Sequence, residues 1–496
     1  MDDKVDGPRD VAADAPDKGA ARGAAPLRQS LTAWRLVLLV VAAAAPMAAV
    51  VGLVPVGFAL GNGAGLPFTV LVVSLVLGLF SVGYSAMSRR VVSTGAFYTY
   101  VTRGLGGVLG LGAAFMALIS YTVMTCGGIA YFAYFSQALF DEFFGWAPSW
   151  MWFAAAGSLL IAVLGYRGID MSFRVVAVLV FAEIALLLCL VAGIIGKVGV
   201  RAFPGDSFSF HSLASGAPGV AVMLVFGLFA GFESAALYSE ETRDPRRSVA
   251  RATYGAVVAM GGFYILTTWV TVGAVGSGKI VGAAAQATGT LYFDLTASYL
   301  APWASQLMSV FMATSMFATV LAAHNVASRY FFALGRQRCL PGTVGRVHSR
   351  YGSPHRASIV VSIVTAAIVI AGFLSGMAPM VGLGTITAGL GVVGIMALQC
   401  LASLAVIGYF RRHGGGSPWS TVVAPLLAFL AMGFGLTLAI SRFDLLSGAS
   451  NGFVNSLPVL IAMVFVSGSA YGWWLKIRRK DHYERVTAHL ATEENS

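Results

Sequence analysis

Twelve stretches of the sequence are apolar over roughly 20 residues or more, and this repetition constrains the fold more than any other feature. A helix needs about 20 mostly apolar residues to cross a bilayer. Only 11% of the residues are charged, whereas soluble domains carry about 25%. The sequence therefore predicts an all-α polytopic membrane protein with twelve transmembrane helices. The predicted spans are residues 35–61, 66–88, 107–139, 149–166, 173–196, 217–238, 250–275, 302–334, 357–376, 380–410, 418–441 and 454–476.

The basic residues test this count. If the N-terminus is cytoplasmic, the inner segments hold 28 of the 32 lysines and arginines, as the positive-inside rule requires. Both termini are therefore predicted to be cytoplasmic, in the plasma membrane. This topology accounts for the formal net charge of +11. The charge is therefore not taken as a sign of nucleic-acid binding, and the expected surroundings are the lipid bilayer. Residues 287–300 in an outer connection have apolar residues at helical spacing and are expected to lie along the surface.

Other function classes find little support. The four cysteines, Cys126, Cys189, Cys339 and Cys400, have no metal-ligand spacing, and the glycine clusters do not match a phosphate-binding loop. No metal and no cofactor are predicted. No nucleophile–base pair stands out, so the protein is not expected to be an enzyme, and without a nucleotide-binding domain ATP is not expected to drive it. The tails appear short and disordered, which argues against a sensor.

Two of the apolar stretches are interrupted. The first contains Pro46, Gly52 and Pro55, and the sixth contains Gly227 and Gly231. Interrupted stretches at corresponding places in two halves of a chain indicate a transporter built from inverted repeats. At such breaks the helix ends expose free N–H groups and the positive end of a helix dipole, which suit the carboxylate of a substrate.

Three further segments carry a family resemblance. They are STGAFYTYVTRGLGGVLG at 93–110, FAGFESAALYSEETRDPRRSVARA at 229–252 and ASRYFFALGRQRCLPGTVGRVHSRYGSPHRA at 327–357. With the twelve-helix layout, they resemble an amino acid permease of the amino acid–polyamine–organocation (APC) superfamily. Three features depart from that pattern. The first break is rich in alanine rather than glycine, Glu183 aligns with a lysine of many relatives, and Gln337 replaces the aspartate of an Arg-Asp-Gly segment.

The resemblance implies a five-plus-five inverted-repeat transport core over residues 31–410. It would be preceded by a disordered cytoplasmic tail at 1–30 and followed by two additional helices at 411–476 and a cytoplasmic C-terminal tail at 477–496. It also implies a substrate site at the breaks of the first and sixth helices, walled by Ala45 to Val50 and by Phe226 to Ser234. The candidate substrate-binding residues are Ala45, Met47, Ala48, Ala49, Val50, Ser120, Tyr121, Thr125, Phe226, Gly227, Phe229, Ala230 and Gly231.

Each candidate also has a structural explanation. Ser120, Tyr121 and Thr125 share a helix face that could equally serve interhelical packing. Phe226 and Phe229 could gate the substrate or pack in the core. The charged turn from Glu240 to Arg247 could close an inner gate through ion pairs or could be a solvated loop.

Three residues are candidates for proton coupling. Glu183 and Glu233 are acids within apolar stretches, where such residues often line an ion pathway. Alternatively, Glu233 is a hydrogen-bond acceptor that ties the sixth break to its neighbours, or it is held in one state by backbone N–H groups. Glu183 could instead make a structural hydrogen bond. His324 would be a pH-sensitive element if it lay near both acids, although a lone histidine is more often a packing residue.

The leading function is a secondary active transporter that imports an amino acid or a related amine, driven by protons, through alternating access. An exchanger without net proton coupling and a polyamine importer remain as alternatives. The sequence leaves open which substrate is carried and whether the protein is a monomer or a homodimer.

Overall fold

The computed structural model describes residues 33–91, 96–168, 173–233, 244–448 and 450–489, and these residues form helices and no strands. The predicted tail at 1–30 and the site residue Ser234 lie outside this described part. In chain order the helices are α1 Ala33–Ala43, α2 Val54–Leu60, α3 Leu66–Ser88, α4 Ala96–Leu105, α5 Gly107–Phe144, α6 Trp150–Arg167, α7 Phe173–Val198, α8 Phe210–Ala214, α9 Pro218–Leu228, α10 Pro245–Val275, α11 Ile280–Gln286, α12 Leu291–Tyr299, α13 Pro302–Arg336, α14 His355–Leu374, α15 Thr385–His413, α16 Ala424–Ser441, α17 Gly452–Ser456, α18 Pro458–Arg478 and α19 Lys480–His489.

Ten helices in the described residues are long and apolar enough to cross a membrane. They correspond to ten of the twelve predicted spans. The two remaining stretches, 35–61 and 217–238, contain shorter apolar helices instead. The long helix α5 packs against α13, α15 and α18. Its 38 residues span about 57 Å at 1.5 Å per residue, which exceeds one bilayer crossing, as the length of this stretch predicts.

The first predicted span is interrupted next to Pro46. Helix α1 ends at Ala43, and Ala45 has a φ of 43°, a left-handed conformation that is uncommon without glycine. The chain then forms wide π-helical turns over Ala48–Leu53 and continues into α2. Proline explains the interruption, because it lacks an N–H group and clashes with the preceding turn.

The sixth predicted span is interrupted after α9. The backbone N–H groups of Phe229 and Ala230 donate to the carbonyls of Phe226 and Gly227 at 3.2 and 3.1 Å, so the helix tightens as it ends. Gly231 follows with a φ of 103°. Glycine reaches this conformation without the steric cost that a Cβ would impose. The glycine in this apolar stretch is therefore explained by the backbone turn.

A third interruption lies at the beginning of α15, in the stretch that exceeds one span by length. Gly382 has a φ of 146°, and its N–H group donates to Thr385 Oγ1 at 3.1 Å. The Thr385 hydroxyl donates in turn to the Leu446 carbonyl. A cavity of about 290 Å³ lies between this kink, Tyr134 of α5 and residues 286–290. Helix α12 follows residues 286–290 and falls in the segment that the sequence predicts to lie along the surface. Its first residue, Leu291, is buried against the bundle.

The C-terminal tail differs from the predicted disordered segment. Its described part forms α19, in which Tyr483 and the buried Val486 lie on one face. A Cβ on Gly107 would meet the Tyr483 hydroxyl at 2.8 Å, so this face packs on the beginning of α5. His482 Nε2 lies 2.9 Å from the Gln337 carbonyl. The expectation of disorder was wrong here because the tail has an apolar face that the bundle covers.

The loop after α13 buries one of the four cysteines. Cys339 is 9% exposed, and burial raises the pKa of its thiol to about 12. The thiol is therefore neutral near pH 7, and a neutral thiol is a poor nucleophile and metal ligand. Cys339 is therefore a packing residue of this loop.

Candidate functional site

The two interrupted stretches contact each other inside the bundle. Helix α9 packs against both α2 and the wide turns Ala48–Leu53. A Cβ on Gly227 would lie 3.3 Å from Leu53 Cδ1 and 3.5 Å from Val392 Cγ2 of α15. The glycine thus lets the sixth stretch approach the first and α15 closely. The two breaks, which the sequence predicts to form one site, therefore lie side by side.

The two breaks differ in accessibility. The five candidate residues of the first break are all buried: Ala45, Met47, Ala48, Ala49 and Val50. In the sixth stretch Gly227, Ala230 and Gly231 are partly accessible, although neighbouring side chains are buried. A small molecule could therefore reach the backbone of the sixth break, where glycine and alanine leave the peptide groups uncovered.

Glu233 closes the sixth break with hydrogen bonds. Its carboxylate accepts from the Tyr121 hydroxyl at 2.9 Å and from the Gly231 backbone N–H at 3.1 Å. Its own carbonyl accepts from the Tyr84 hydroxyl at 3.2 Å. The side chain is 1% exposed. Glu233 thus ties the broken stretch to α3 and α5. The Gly231 N–H is one of the backbone donors expected if Glu233 is an acid held in one protonation state.

Tyrosines surround this acid, and most of them are not among the candidate residues that the sequence indicates. The Tyr121 ring stacks on Tyr330 of α13 with centroids 5.7 Å apart and an interplanar angle of 18°. Tyr98 of α4 meets the Tyr330 ring edge-on at 5.8 Å, and the rings of Tyr84 and Tyr100 lie 5.1 Å apart. The FYTY segment at 97–100 was a visible signal, but its packing partners are far away in sequence.

Glu183 lies elsewhere, between two continuous helices. It is 2% exposed on α7, and its carboxyl accepts a hydrogen bond from the Ser315 hydroxyl of α13 at 3.0 Å. Helices α7 and α13 pack against each other. This hydrogen bond is the structural alternative to proton coupling that the sequence leaves open for Glu183.

His324 packs between three helices. Its Nε2 is 3.0 Å from the Ser362 hydroxyl of α14, and a Cβ on Gly165 of α6 would meet its ring at 2.7 Å. His324 lies nine residues beyond Ser315, the partner of Glu183, which is about 14 Å along α13. The structure does not bring His324 together with the two acids as the pH-sensitive arrangement would require.

The three candidates on α5 have different surroundings. Tyr121 faces Glu233, as described. Ser120 donates to the Met116 carbonyl, and a Cβ on Gly394 would lie 1.9 Å from its hydroxyl, so Ser120 packs against α15. Thr125 is fully buried and donates to the Tyr121 carbonyl. Ser120 and Thr125 therefore make the contacts expected for helix packing, whereas Tyr121 reaches the break.

The two candidate aromatic gates are both buried. Phe229 is 1% exposed, and its ring meets Tyr264 of α10 edge-on at 5.4 Å. Phe226 is 6% exposed. Phe229 makes the contacts of a core residue, which was the alternative that the sequence left open.

The charged inner turn is only partly described. Residues 240–243 lie outside the described segments. In the described part of the turn, the side chains of Asp244 and Arg247 approach to 4.0 Å, and both are largely exposed. Exposed ion pairs contribute about 0–1 kcal/mol to stability. The described residues contain no group of three or more His, Cys, Asp or Glu side chains that could hold a metal ion.

A solved structure has a similar fold. The manganese transporter of Eremococcus coleocola aligns with a TM-score of 0.54 over 91% of this chain and 96% of that chain. The sequences are 13% identical, so this likeness concerns the fold alone. The arrangement of helices described above thus occurs in a membrane transporter.

Curated relatives extend the comparison to sequence. The branched-chain amino acid permease BcaP of Lactococcus lactis is 25% identical over 402 residues, which cover 75% of this chain and 80% of the relative. The low-affinity putrescine importer PlaP of Escherichia coli is 25% identical over 314 residues, which cover 58% of this chain and 63% of the relative. Both are transporters and not enzymes.

The sequence profile of the amino acid permeases matches residues 31–467. That range contains both interrupted stretches, Glu183 and Glu233. It confirms the resemblance drawn from the motifs at 93–110, 229–252 and 327–357. This chain is a multi-pass membrane protein that belongs to the amino acid permease family.

Proposed function

We propose that this protein is a secondary active transporter that imports an amino acid or a related amine across the plasma membrane, coupled to protons. The observation that carries the proposal is the contact between two interrupted apolar stretches, one of which has an accessible backbone at Gly227, Ala230 and Gly231. The positive end of the helix dipole after the first break suits a carboxylate, and the carbonyl end of α9 suits an ammonium group. The two ends of an amino acid fit these two breaks.

The proposed topology has twelve spans, with both termini in the cytoplasm. Ten long apolar helices and the two interrupted stretches supply the spans. The distribution of 28 basic residues on one side supports the orientation. Within this topology, helices one to five and six to ten would form the two inverted repeats, and interruptions in the first and sixth helices fit that symmetry.

Alternating access would require the sixth break to separate from its neighbours on the inner side. Glu233 holds the break to α5 through the Tyr121 hydroxyl and to α3 through Tyr84. Stacking of Tyr121 on Tyr330 extends the connection to α13. We expect these contacts to be made when the inner side is closed and broken when the substrate leaves.

Proton coupling is assigned to one of the buried acids. Glu183 and Glu233 are both less than 3% exposed, and an acid inside a membrane bundle commonly serves an ion pathway. His324 is the weakest candidate because its neighbours are α6 and α14 rather than either acid. The partners of the two acids differ, which gives the coupling hypothesis distinct tests.

Uptake into proteoliposomes tests the function. We expect saturable uptake of at least one amino acid or amine, accelerated by an inward proton gradient, from a panel that includes branched-chain amino acids and putrescine. Uptake that ignores the pH gradient but requires internal amino acid would favour the exchanger. If no member of the panel is taken up and none is exchanged, the proposed function is wrong.

A further inference from the structure

The loop between α13 and α14 closes on itself around His348. The His348 N–H donates to the Ser353 carbonyl at 2.9 Å, and the Gly352 N–H donates to the His348 carbonyl at 2.9 Å. The imidazole Nδ1 atom accepts from the backbone N–H groups of Arg350 and Tyr351, at 3.1 and 3.3 Å. The side chain therefore closes the turn in the way that an asparagine or aspartate side chain closes an Asx turn.

The closed loop is docked on the end of α6. The Ser353 hydroxyl donates to the Tyr166 carbonyl at 2.6 Å, and Ser353 is 3% exposed. The Tyr166 ring meets the His348 and His355 rings edge-on, with centroids 5.3 and 5.6 Å apart. His355 is the first residue of α14. The loop thus joins the end of α6 to the beginning of α14 through one aromatic cluster.

This arrangement requires the neutral form of His348. A ring nitrogen that accepts a hydrogen bond carries no proton, whereas both ring nitrogens of a protonated histidine are donors. Protonation of Nδ1 would leave the N–H groups of Arg350 and Tyr351 without their acceptor and place a third N–H group against them. Histidine is the side chain whose charge changes between pH 5 and 8. The docked loop binds fewer protons than the released loop, so its stability falls as the pH falls.

The charges around His348 act in the same direction. The titratable and charged side chains of the surrounding elements are Tyr166 and Arg167 of α6, Arg346, Arg350 and Tyr351 of the loop, and His355 and Arg356 of α14. Those that are charged at pH 7 are arginines. No carboxylate forms an ion pair with His348 or His355 in the described residues, and Asp170 lies outside them. Protonation of His348 therefore adds positive charge to a basic site, which favours release of the loop.

The loop follows directly on a helix that contacts the sixth break. Tyr330 of α13 stacks on Tyr121, which donates to Glu233. Helix α13 ends at Arg336, less than two turns after Tyr330. Helices α6, α13 and α14 pack against one another, so the docked loop fixes the end of the support against which the break closes. Release of the loop would loosen that support.

We propose that His348 is a sensor of cytoplasmic pH: its neutral form docks the loop on α6, and its protonation releases the loop and slows transport. The loop lies on the inner side in the proposed topology, so the proton comes from the cytoplasm. Import coupled to protons acidifies the cytoplasm, and the switch would then limit further uptake. The switch goes beyond the proposed function, and it would act on an exchanger as well.

His348→Asn removes the titration and keeps the acceptor, because an asparagine oxygen accepts from the N–H group two residues later. Amide hydrogen exchange over residues 348–353 would report the two hydrogen bonds to Nδ1, with wild type and variant compared at the same pH. A single titrating group changes from mostly neutral to mostly charged over two pH units. Between pH 7.5 and 5.5, protection should fall about 10-fold in the wild type and stay unchanged in His348→Asn. Counterflow at equal pH on both sides should decrease in parallel with protection.

His413→Asn is the matched control. The Nδ1 atom of His413, at the end of α15, lies 3.0 Å from the Tyr409 carbonyl. It is therefore a donor, and protonation costs it no hydrogen bond. This variant should keep the pH dependence of the wild type. His348→Ala lacks the acceptor, and at pH 7.5 it should already show the weak protection and slow counterflow that the wild type shows at pH 5.5.

Equal pH dependence of protection in the wild type and His348→Asn would overturn the proposal, and so would a fully protected loop in His348→Ala at pH 7.5. A difference in protection without a difference in counterflow would overturn the control of transport. His348→Asp, which keeps an acceptor at both pH values, replaces His348→Asn if that variant does not fold. Hydrogen exchange needs no substrate, so a failed uptake screen would contradict the proposed function and not the docking switch.

Discussion

Two acids are buried in this bundle, and their surroundings differ in kind. Glu233 lies on an interrupted backbone, where its carboxylate accepts hydrogen bonds from Tyr121 and from the Gly231 N–H group. Glu183 lies within the continuous helix α7, where Ser315 is its hydrogen-bond donor in the described residues. Both side chains are almost completely buried. Burial alone therefore does not distinguish the two acids, whereas their hydrogen bonds do.

The difference suggests a division of labour. A carboxylate can accept up to about four hydrogen bonds, and hydrogen bonds to charged groups are stronger than neutral ones. Glu233, with a donor on each oxygen, is suited to remain an anion that holds the sixth break closed. Among the described residues Glu183 has one donor, Ser315, and it lies between two intact helices. We therefore expect Glu183 to exchange the coupled proton and Glu233 to act as a positioning residue for the break.

Glu233→Gln is expected to have the largest effect. The amide oxygen can still accept from the Gly231 N–H and the amide nitrogen can donate to the Tyr121 hydroxyl, but neither hydrogen bond then involves a charged group. Each hydrogen bond to a charged group contributes about 1.5–3 kcal/mol, which implies a loss of uptake on the order of 100-fold. Counterflow, which needs no proton gradient, should fall equally. Glu484→Gln, at an exposed site on α19, serves as the control and should leave both rates unchanged.

Counterflow at the wild-type rate in Glu233→Gln would contradict the claim that Glu233 holds the sixth break closed. It would show that the hydrogen bonds at the sixth break are dispensable for movement. A variant with intact counterflow and no response to pH would reverse the division of labour, because Glu233 would then be the proton site.

Tyr121→Phe removes one of the two donors to Glu233 and keeps the stacking on Tyr330. We expect about a 10-fold loss of counterflow, from roughly 1.5 kcal/mol for one charged hydrogen bond. Ser315→Ala is the corresponding change at Glu183, and it should reduce counterflow by less than about threefold. Initial rates at saturating substrate would measure both. Equal losses in the two variants would contradict the distinction between a mobile break and a fixed helix pair.

Glu183→Gln should separate the conformational change of the transport cycle from its coupling to protons. A gradient of one pH unit supplies a factor of about 10 for each coupled proton. The variant should lose this factor in substrate accumulation while keeping counterflow within about threefold of the wild type, because Ser315 can still donate to the amide oxygen. Accumulation ratios at several imposed pH gradients would measure the effect. Retained accumulation would remove Glu183 from the coupling pathway.

The comparison also shows what the sequence could predict. Pro46, Gly227 and Gly231 announce the interruptions because proline and glycine act locally on the backbone. Glu183 and Glu233 are visible as acids in apolar stretches. Their partners are not, since Tyr121 and Ser315 are more than 100 residues away from the acids they contact.

His324 and the C-terminal helix are two further cases in which contacts with distant residues decide what the sequence could not predict. A histidine in an apolar stretch suggested a role beside the acids, but the positions of Ser362 and Gly165 decide its surroundings. The tail at 477–496 has a polar composition typical of disorder. Its one apolar face becomes meaningful only where the beginning of α5 and Gln337 offer a surface for it.

Substitutions at the two glycines of the sixth break have the smallest expected effects and test whether Glu233 acts through the turn at Gly231. Gly231 has a φ of 103°, so Gly231→Ala should cost about 1–2 kcal/mol in the closed state and reduce counterflow about fivefold. A Cβ on Gly227 would meet only the end of the flexible Leu53 side chain at 3.3 Å and Val392 at 3.5 Å. Gly227→Ala should therefore strain the closed state less than Gly231→Ala does, and its loss of counterflow should be the smaller of the two. If Glu233 acts by holding the strained turn at Gly231, combining Gly231→Ala with Glu233→Gln should reduce counterflow by less than the product of the single effects. Multiplicative losses would show that the acid and the turn act independently.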